Sequence, residues 1–261
     1  MKILYLLIFS LLLLSFSYAG TRDPSVSDTK YLEYGSQHKC VLPIVGLLSD
    51  ELNSFFRASC VVIDEYHILT AAHIVNGSMT QHVIFEDKVY PCALVAIHAK
   101  YNEKQIGFND IAIARLQRPI QLDFYPDLYV GKEEVGKVCS LAGYGYPGTF
   151  RTGYMVNKFD NKKRAGANIV DKITDNVLEF SVKSGRKTDM EFLVCPGDSG
   201  GGLFIDQKLA GIHSYVYATD GKSDSNYADV GCSTRVSDYI DWIKDTKKLM
   251  NKIMEASNAV Q

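Results

Sequence analysis

Three polar residues of the 261-residue chain have the types that nucleophilic catalysis uses. Ser199 lies in "CPGDSGGGLF", between an aspartate and three consecutive glycines; His73 closes "ILTAAH"; Asp110 opens "DIAIARL". A serine hydroxyl is a weak nucleophile, so it needs a base within hydrogen-bond reach, and that base needs an acid to fix its tautomer and stabilise the imidazolium. Serine, histidine and aspartate fill those three roles. The glycines Gly197, Gly200, Gly201 and Gly202 fit the same chemistry. Glycine weakens a strand interior, so such a cluster marks a sharp turn or a place where something approaches the main chain. A tetrahedral oxyanion would be met there by the N–H groups of Gly197 and Ser199, each such donor contributing ~3–4 kcal/mol in comparable sites. Taken singly, each residue also has a plain reading: a structural histidine, an aspartate capping a turn, a serine in a glycine turn.

Positioning these groups requires rigid elements, and the sequence predicts strands. Runs of four to eight β-type residues recur between turn signals, among them "CVLPIVGLL", "ASCVVIDEYHILTAA", "DIAIARL", "GKVCSLAGYG" and "GGLFIDQKLAGIHSYVYA". Runs this short and regular favour an all-β sandwich or barrel. His73 would stand at a strand end, with Ala71 and Ala72 leaving room around it, and Asp110 at the start of an alternating strand. Residues 117–135, with Pro119 and Pro126 and little alternation, suit a connection between two halves, about 40–120 and about 130–236. Beyond Val236, Tyr239, Ile240, Ile243, Leu249, Ile253 and Met254 fall at helical spacing, which predicts a C-terminal amphipathic helix over about 237–257.

Composition bounds the partners. A hydrophobic share of 46% and a charged share of 22% suit a globular protein with a sizeable core. The net charge of -2, without a dense Lys/Arg run, gives no sign of nucleic acid or an acidic membrane as partner. "MKILYLLIFSLLLLSFSYAG" has one basic residue, an apolar run and a small-residue exit, and reads as a signal peptide (residues 1–19) cut after Ala19 rather than an uncleaved anchor. A secreted chain, extracellular or periplasmic, with no stable membrane association after that cut is expected, as a monomer. The cysteines 40, 60, 92, 139, 195 and 232 are even in number, with no C-x-x-C pair, so disulfides are expected and neither a metal nor a cofactor is. "NGS" at Asn76–Ser78 is a glycosylation acceptor.

Together the three segments resemble the chymotrypsin-like (trypsin-fold) serine peptidases, because "TAAH", "NDIAIARL" and "GDSGGGLF" follow that family's chain order of His, Asp, Ser. The resemblance runs from about Val41 to Ile243; "LAGYGYPG" looks like the family's Ser-Gly-Trp-Gly stretch, with Tyr144 in the Trp position. It implies a peptidase domain over 40–261 made of two six-stranded antiparallel β-barrels and a C-terminal α-helix. His73 and Asp110 would lie in the first barrel, Ser199 in the second, and the active site between them. The implied reaction is peptide-bond hydrolysis through an acyl-enzyme, on a polypeptide substrate and without cofactor. Ser214 matches the serine beside the family's buried aspartate, and Ser214 to Val216 the strand that pairs with substrate backbone. The alternative is a catalytically silent homologue that binds partners through the same cleft; the intact His73, Asp110, Ser199 set argues against it.

The departures from the family concern specificity, cysteines and activation. Leu193 stands where trypsin-like members carry aspartate, so a Lys or Arg side chain would bury its charge without a partner, and trypsin-like cleavage is not expected. Gly231 should leave one pocket wall open, whereas Val216 replaces a usual glycine. "GIH" at His213 resembles glutamyl endopeptidases and viral 3C-like cysteine peptidases, in which the histidine reads Glu or Gln. A packed histidine bonded to a neighbouring tyrosine, with an apolar pocket that includes Tyr215 and prefers medium hydrophobic residues, is the other reading. Cys195–Cys232 is the one familiar disulfide, since Ile74 and Ile205 stand where Cys60 and Cys139 would find partners. Zymogen-type members pair an Ile-Val-Gly-Gly terminus with the aspartate before the nucleophile, here Asp198. The chain's "PIVGLL" reads instead as a barrel strand, and cuts after Arg22 or Lys30 leave unlike starts. An internal group is therefore expected at Asp198, and residues 20–39 form an N-terminal segment open to removal.

Overall fold

The structure, a computed structural model, describes residues 20–49, 54–182 and 187–259, so the expected signal segment lies outside the described residues. The described chain opens with strand β1 (Gly20–Arg22) and helix α1 (Asp28–Gln37), elements that the spacing of apolar residues had not announced. The first barrel follows: β2 (Val41–Ser49), β3 (Ser54–Val62), β4 (His67–Thr70), the one-turn helix α2 (Ala72–Val75), β5 (His82–Phe85), β6 (Lys88–Ile97) and β7 (Ala112–Leu116). These strands close in the order β2-β3-β4-β7-β6-β5. The alternation of "IAIARL" shows why. Ala112 and Ala114 face the barrel interior with Ile44, Val62 and Ile68, while Ile111 and Ile113 face the other way and are buried against the second half and the C-terminal helix. The β5–β6 hairpin turns on Glu86 and Asp87, both with positive φ (48° and 57°), which matches the right-handed strand twist.

The second half holds β8 (Val138–Gly143), β9 (Pro147–Thr149), β10 (Gly153–Tyr154), β11 (Arg164–Ile169), β12 (Lys172–Thr174), β13 (Val177–Ser181), β14 (Phe192–Leu193), β15 (Gly202–Ile205), β16 (Lys208–Tyr217) and β17 (Val230–Arg235). Seven of them form one sheet, β11-β8-β15-β16-β17-β13-β12, and a second sheet runs β10-β9-β1-β14. The first barrel thus closes on itself, whereas the second wraps as a seven-stranded sheet with a smaller sheet at its end. β1 is the surprise: it pairs parallel to β9 and antiparallel to β14. α1 packs behind it, with Tyr31 fully buried against Phe192, a burial that stabilises by roughly 2–3 kcal/mol.

Helix α3 (Ile240–Asn258) lies at the expected place. Although it follows the second half in sequence, it docks on the first: Ile243 and Met250 join the core around Val61, Leu69 and Ile113, and Arg115 Nε donates to Asn251 Oδ1 at 3.0 Å. The stretch between the halves is pinned by a fully buried Glu134, which receives both Nε and Nη2 of Arg235 (2.8 and 2.7 Å). No helix among the described residues is long and apolar enough to cross a membrane. All six cysteines are free, so the Cys195–Cys232 bridge is not formed. Cys232 lies in β17 opposite Tyr215, whereas the Cys195 thiol turns to the Tyr146 carbonyl at 2.7 Å.

Candidate active site

His73 sits in the single turn of α2, directly after β4, and the buried Ala71 and Ala72 hold the main chain tight to the barrel. Asp110 anchors it twice. Its Oδ1 accepts the His73 backbone N–H at 2.9 Å, and its Oδ2 lies 2.7 Å from His73 Nδ1. The Asp110 side chain is 3% exposed and that of His73 36%, so the carboxylate is enclosed and the imidazole reaches solvent. Burial alone would raise the Asp110 carboxyl; hydrogen bonds and charge from His73, with the Ser214 hydroxyl, outweigh it and hold the group below the usual carboxylate range. The Ser214 bond is short, 2.5 Å from Oγ to Asp110 Oδ2. Ser214 also touches the third residue, because its carbonyl lies 3.5 Å from Ser199 Oγ. One residue of β16 therefore links the carboxylate to the hydroxyl.

Ser199 rides on the turn between β14 and β15. Gly197 (φ +94°) and Gly200 (φ +82°) adopt left-handed conformations there, and a Cβ at Gly200 would stand 2.1 Å from the Ser59 carbonyl and 2.2 Å from Thr70 Oγ1. Only glycine fits that position. The turn uses its amides selectively: those of Asp198, Gly200 and Gly201 donate to Cys195, His213 and Asp198 carbonyls. Among the described residues the Gly197 and Ser199 amides donate to nothing. Two unspent N–H groups beside a hydroxyl are what an oxyanion requires.

The first barrel holds this turn through Ser59 of β3, a residue without a motif around it in the sequence. Its N–H donates to the Ser199 carbonyl (2.9 Å), its hydroxyl donates to the Gly197 carbonyl (3.0 Å), and the same oxygen accepts the Tyr144 N–H (2.9 Å). From the other side Asp198, fully buried, accepts the N–H groups of Gly145 (2.7 Å) and Cys195 (2.9 Å). Burial pushes its carboxyl up to about 6 in spite of these bonds.

A cavity of about 350 Å³ opens beside Ser199, walled by Tyr154, Val194, Cys195, Ser214, Tyr215 and Val216. A second, of about 230 Å³, adjoins His73, Tyr101, Gly107 and Asp110, with Tyr215 between the two. Leu193 and Gly231 lie behind the wall of the first: Leu193 is fully buried, and a Cβ at Gly231 would meet the Phe180 ring at 2.4 Å and Leu193 Cδ1 at 3.0 Å. His213 borders the cavity but is 1% exposed. Its Nδ1 lies 3.0 Å from Ser233 Oγ, and burial pulls its imidazole down to about 3, so it is neutral.

A serine, an imidazole and an enclosed carboxylate at the junction of two β halves follow the plan of a two-barrel serine hydrolase. The Trypsin family model matches residues 43–243. The chain is 30% identical over 204 residues to the chymotrypsin of Phaedon cochleariae, covering 70% of this chain and 69% of that one. It is 29% identical over 215 residues to kallikrein 1-related peptidase b3 of Mus musculus, covering 71% and 78%. Among solved structures, neuropsin, a serine protease expressed in the limbic system of mouse brain, superposes with a TM-score of 0.60 at 24% identity, covering 78% of this chain and 93% of that one. HL collagenase superposes with a TM-score of 0.67 at 17% identity, covering 88% and 98%. These two show the fold. The chain belongs to the Trypsin family. It is a serine endopeptidase, a hydrolase of peptide bonds.

Proposed function

We propose that the chain is a secreted, monomeric endopeptidase in which Ser199 is the nucleophile, His73 the general base and acid, and Asp110 the group that fixes the imidazole. The observation that carries this reading is Ser214, whose hydroxyl bonds the Asp110 carboxylate that holds His73 and whose carbonyl accepts from Ser199 Oγ. With Nδ1–H directed at Asp110, His73 Nε2 keeps its lone pair for the Ser199 proton. As Ser199 Oγ bonds the scissile carbonyl carbon, the oxygen of that carbonyl becomes an oxyanion held by the Gly197 and Ser199 amides. His73 then delivers its proton to the leaving amine, the C–N bond breaks, and water repeats the sequence on the acyl-enzyme.

The residue accepted beside Ser199 is of medium apolar size. The burial of His213 favours this over a preference for Glu or Gln. The ring is packed inside the second half, with Nδ1 held by Ser233 and Nε2 buried without a hydrogen-bond partner among the described residues. A neutral imidazole 1% exposed brings no charge to a substrate carboxylate. Val194, Val216 and Tyr154 supply an apolar lining.

Digestion of a peptide library, with the residue before each cut mapped, tests the assignment. Cuts after Leu or Val that persist in His213→Ala and vanish in Ser199→Ala are expected; cuts after Glu or Gln that vanish in His213→Ala would overturn the pocket reading. A fluorophosphonate should label Ser199 in the folded protein. Absence of an adduct would favour the silent binder instead.

A further inference from the structure

The acceptor motif at Asn76–Ser78 lies on the rim of the cleft, a place the motif alone does not give. Asn76 is the C-cap of α2, three residues after His73, and is exposed. Its Nδ2 donates to Glu103 Oε2 at 3.1 Å. Glu103, exposed as well, belongs with Tyr101, Ile106 and Gly107 to the loop that walls the cavity of about 230 Å³ beside His73. The side-chain amide at position 76 is thus one hydrogen bond away from the lining of the cleft.

The fold leaves room for a large substituent there. Gly77 has a φ of +71°, and a Cβ placed on it would find no atom within 4 Å, so the main chain after Asn76 turns out into open solvent. The Asn76 side chain bonds Glu103 and no other described residue. Its backbone N–H, which donates to the Ala72 carbonyl at 2.9 Å, is what closes the turn. A group attached to Nδ2 would therefore leave α2, and His73 within it, in place.

We propose that Asn76 carries an N-linked oligosaccharide, and that this glycan stands over the His73 side of the cleft as a size filter that admits short peptides to Ser199 and hinders folded proteins. This rests on the hydrolase and secretion readings above. In the modification Nδ2 forms a bond to C1 of an oligosaccharide carried on a lipid pyrophosphate, the bond from that carbon to the pyrophosphate oxygen breaks, and one amide proton leaves. An asparagine amide has two N–H groups. The one that remains can still donate to Glu103, which keeps the first sugar beside the 101–107 loop. A short peptide seated in the cavity beside Ser199 meets Tyr154, Val194 and Val216, with Tyr215 between it and the glycan. A folded protein must also cover the rim at His73. The hindrance is steric and falls on binding rather than on bond breaking.

The test secretes the full chain from a eukaryotic host and reads the occupancy of Asn76 by mass spectrometry, a measurement that needs no activity. Kinetics then follow one cleavable peptide, free in solution and inserted in a surface loop of a folded carrier protein. Asn76→Gln and Ser78→Ala both lack the glycan, whereas Ser78→Thr keeps the acceptor pattern. Compared with the first two, the glycosylated enzyme should show a KM for the carrier roughly tenfold higher at equal kcat, the pattern of lost uniform binding. On the free peptide all should agree, and Ser78→Thr should behave as the unaltered chain. An unmodified Asn76 would overturn the proposal and leave the hydrolase reading standing. So would equal KM values for the carrier, or an equal change on the free peptide, which would mark an effect on the site itself. If folded enzyme cuts neither substrate, with or without the glycan, the hydrolase reading falls and the filter with it.

Discussion

Ser59 offers a way to disturb the site without touching any group that meets the substrate. Its hydroxyl is fully buried, donates to Gly197 and accepts from Tyr144. Ser59→Ala removes both bonds and strands a carbonyl and an N–H where water does not reach, which should cost about 1–3 kcal/mol of stability. The backbone bond from residue 59 to the Ser199 carbonyl survives, so the nucleophile keeps one anchor while Gly197 loses its own. Complete loss of an oxyanion donor costs ~3–4 kcal/mol in comparable enzymes. A loosened donor should cost less: kcat falls about 10- to 100-fold, or about 1.4–2.7 kcal/mol, with KM little changed. Steady-state kinetics on a short peptide ester, beside thermal unfolding, separates the two effects. Ser59→Cys, close in size, should behave like the alanine variant if hydrogen bonding rather than packing is at stake. A stability loss with an unaltered kcat would refute the argument that β3 holds the oxyanion turn.

Asp110→Asn should lower kcat by ~10⁴ while the fold is kept, since an amide next to Nδ1 favours the tautomer that leaves Nε2 protonated; a rate within tenfold of wild type would rule out its role. Asp198 should make the folded chain lose stability as pH rises from about 4 to 6. Its folded pKa of about 6 lies above the ordinary 3.8, so the folded state holds a proton that the unfolded chain releases. The loss should amount to roughly 3 kcal/mol at 1.36 kcal/mol per pKa unit, measured by urea unfolding against Asp198→Asn, which should lack this slope. Glu134→Ala leaves Arg235 buried without its carboxylate and should destabilise by ~3 kcal/mol, read as a lower midpoint of thermal unfolding.

What could be read from the sequence depended on whether the signal was local. "IAIARL" declares its two faces within six residues, and α3 announces itself by the spacing of Tyr239, Ile243 and the residues beyond. The glycines around Ser199 have an equally local cause, since positive φ and the crowding at Gly200 leave no other choice. α1 was hidden because "DTKYLEYGSQ" has only a weak apolar face, and its Gly35 is explained by the approach of the Lys163 carbonyl, where a Cβ would stand at 2.6 Å. Ser59 was hidden for a similar reason, as its partner Gly197 lies 138 positions away. His213 was legible as a residue of the pocket region, but whether its ring faced the cavity or Ser233 depended on the bulge between His213 and Tyr215 in β16. The cysteines misled. An even count says nothing of geometry, and Cys195 spends its thiol on the Tyr146 carbonyl.

The clamp from β3 to the Ser199 turn also sets an order of events during synthesis. The serine belongs to a half that emerges from the ribosome late, and its turn is braced by a strand of the half that emerges early. α3, the last element made, then fastens itself back onto that early barrel. The turn that carries Ser199 is thus braced only once the two halves have closed on each other.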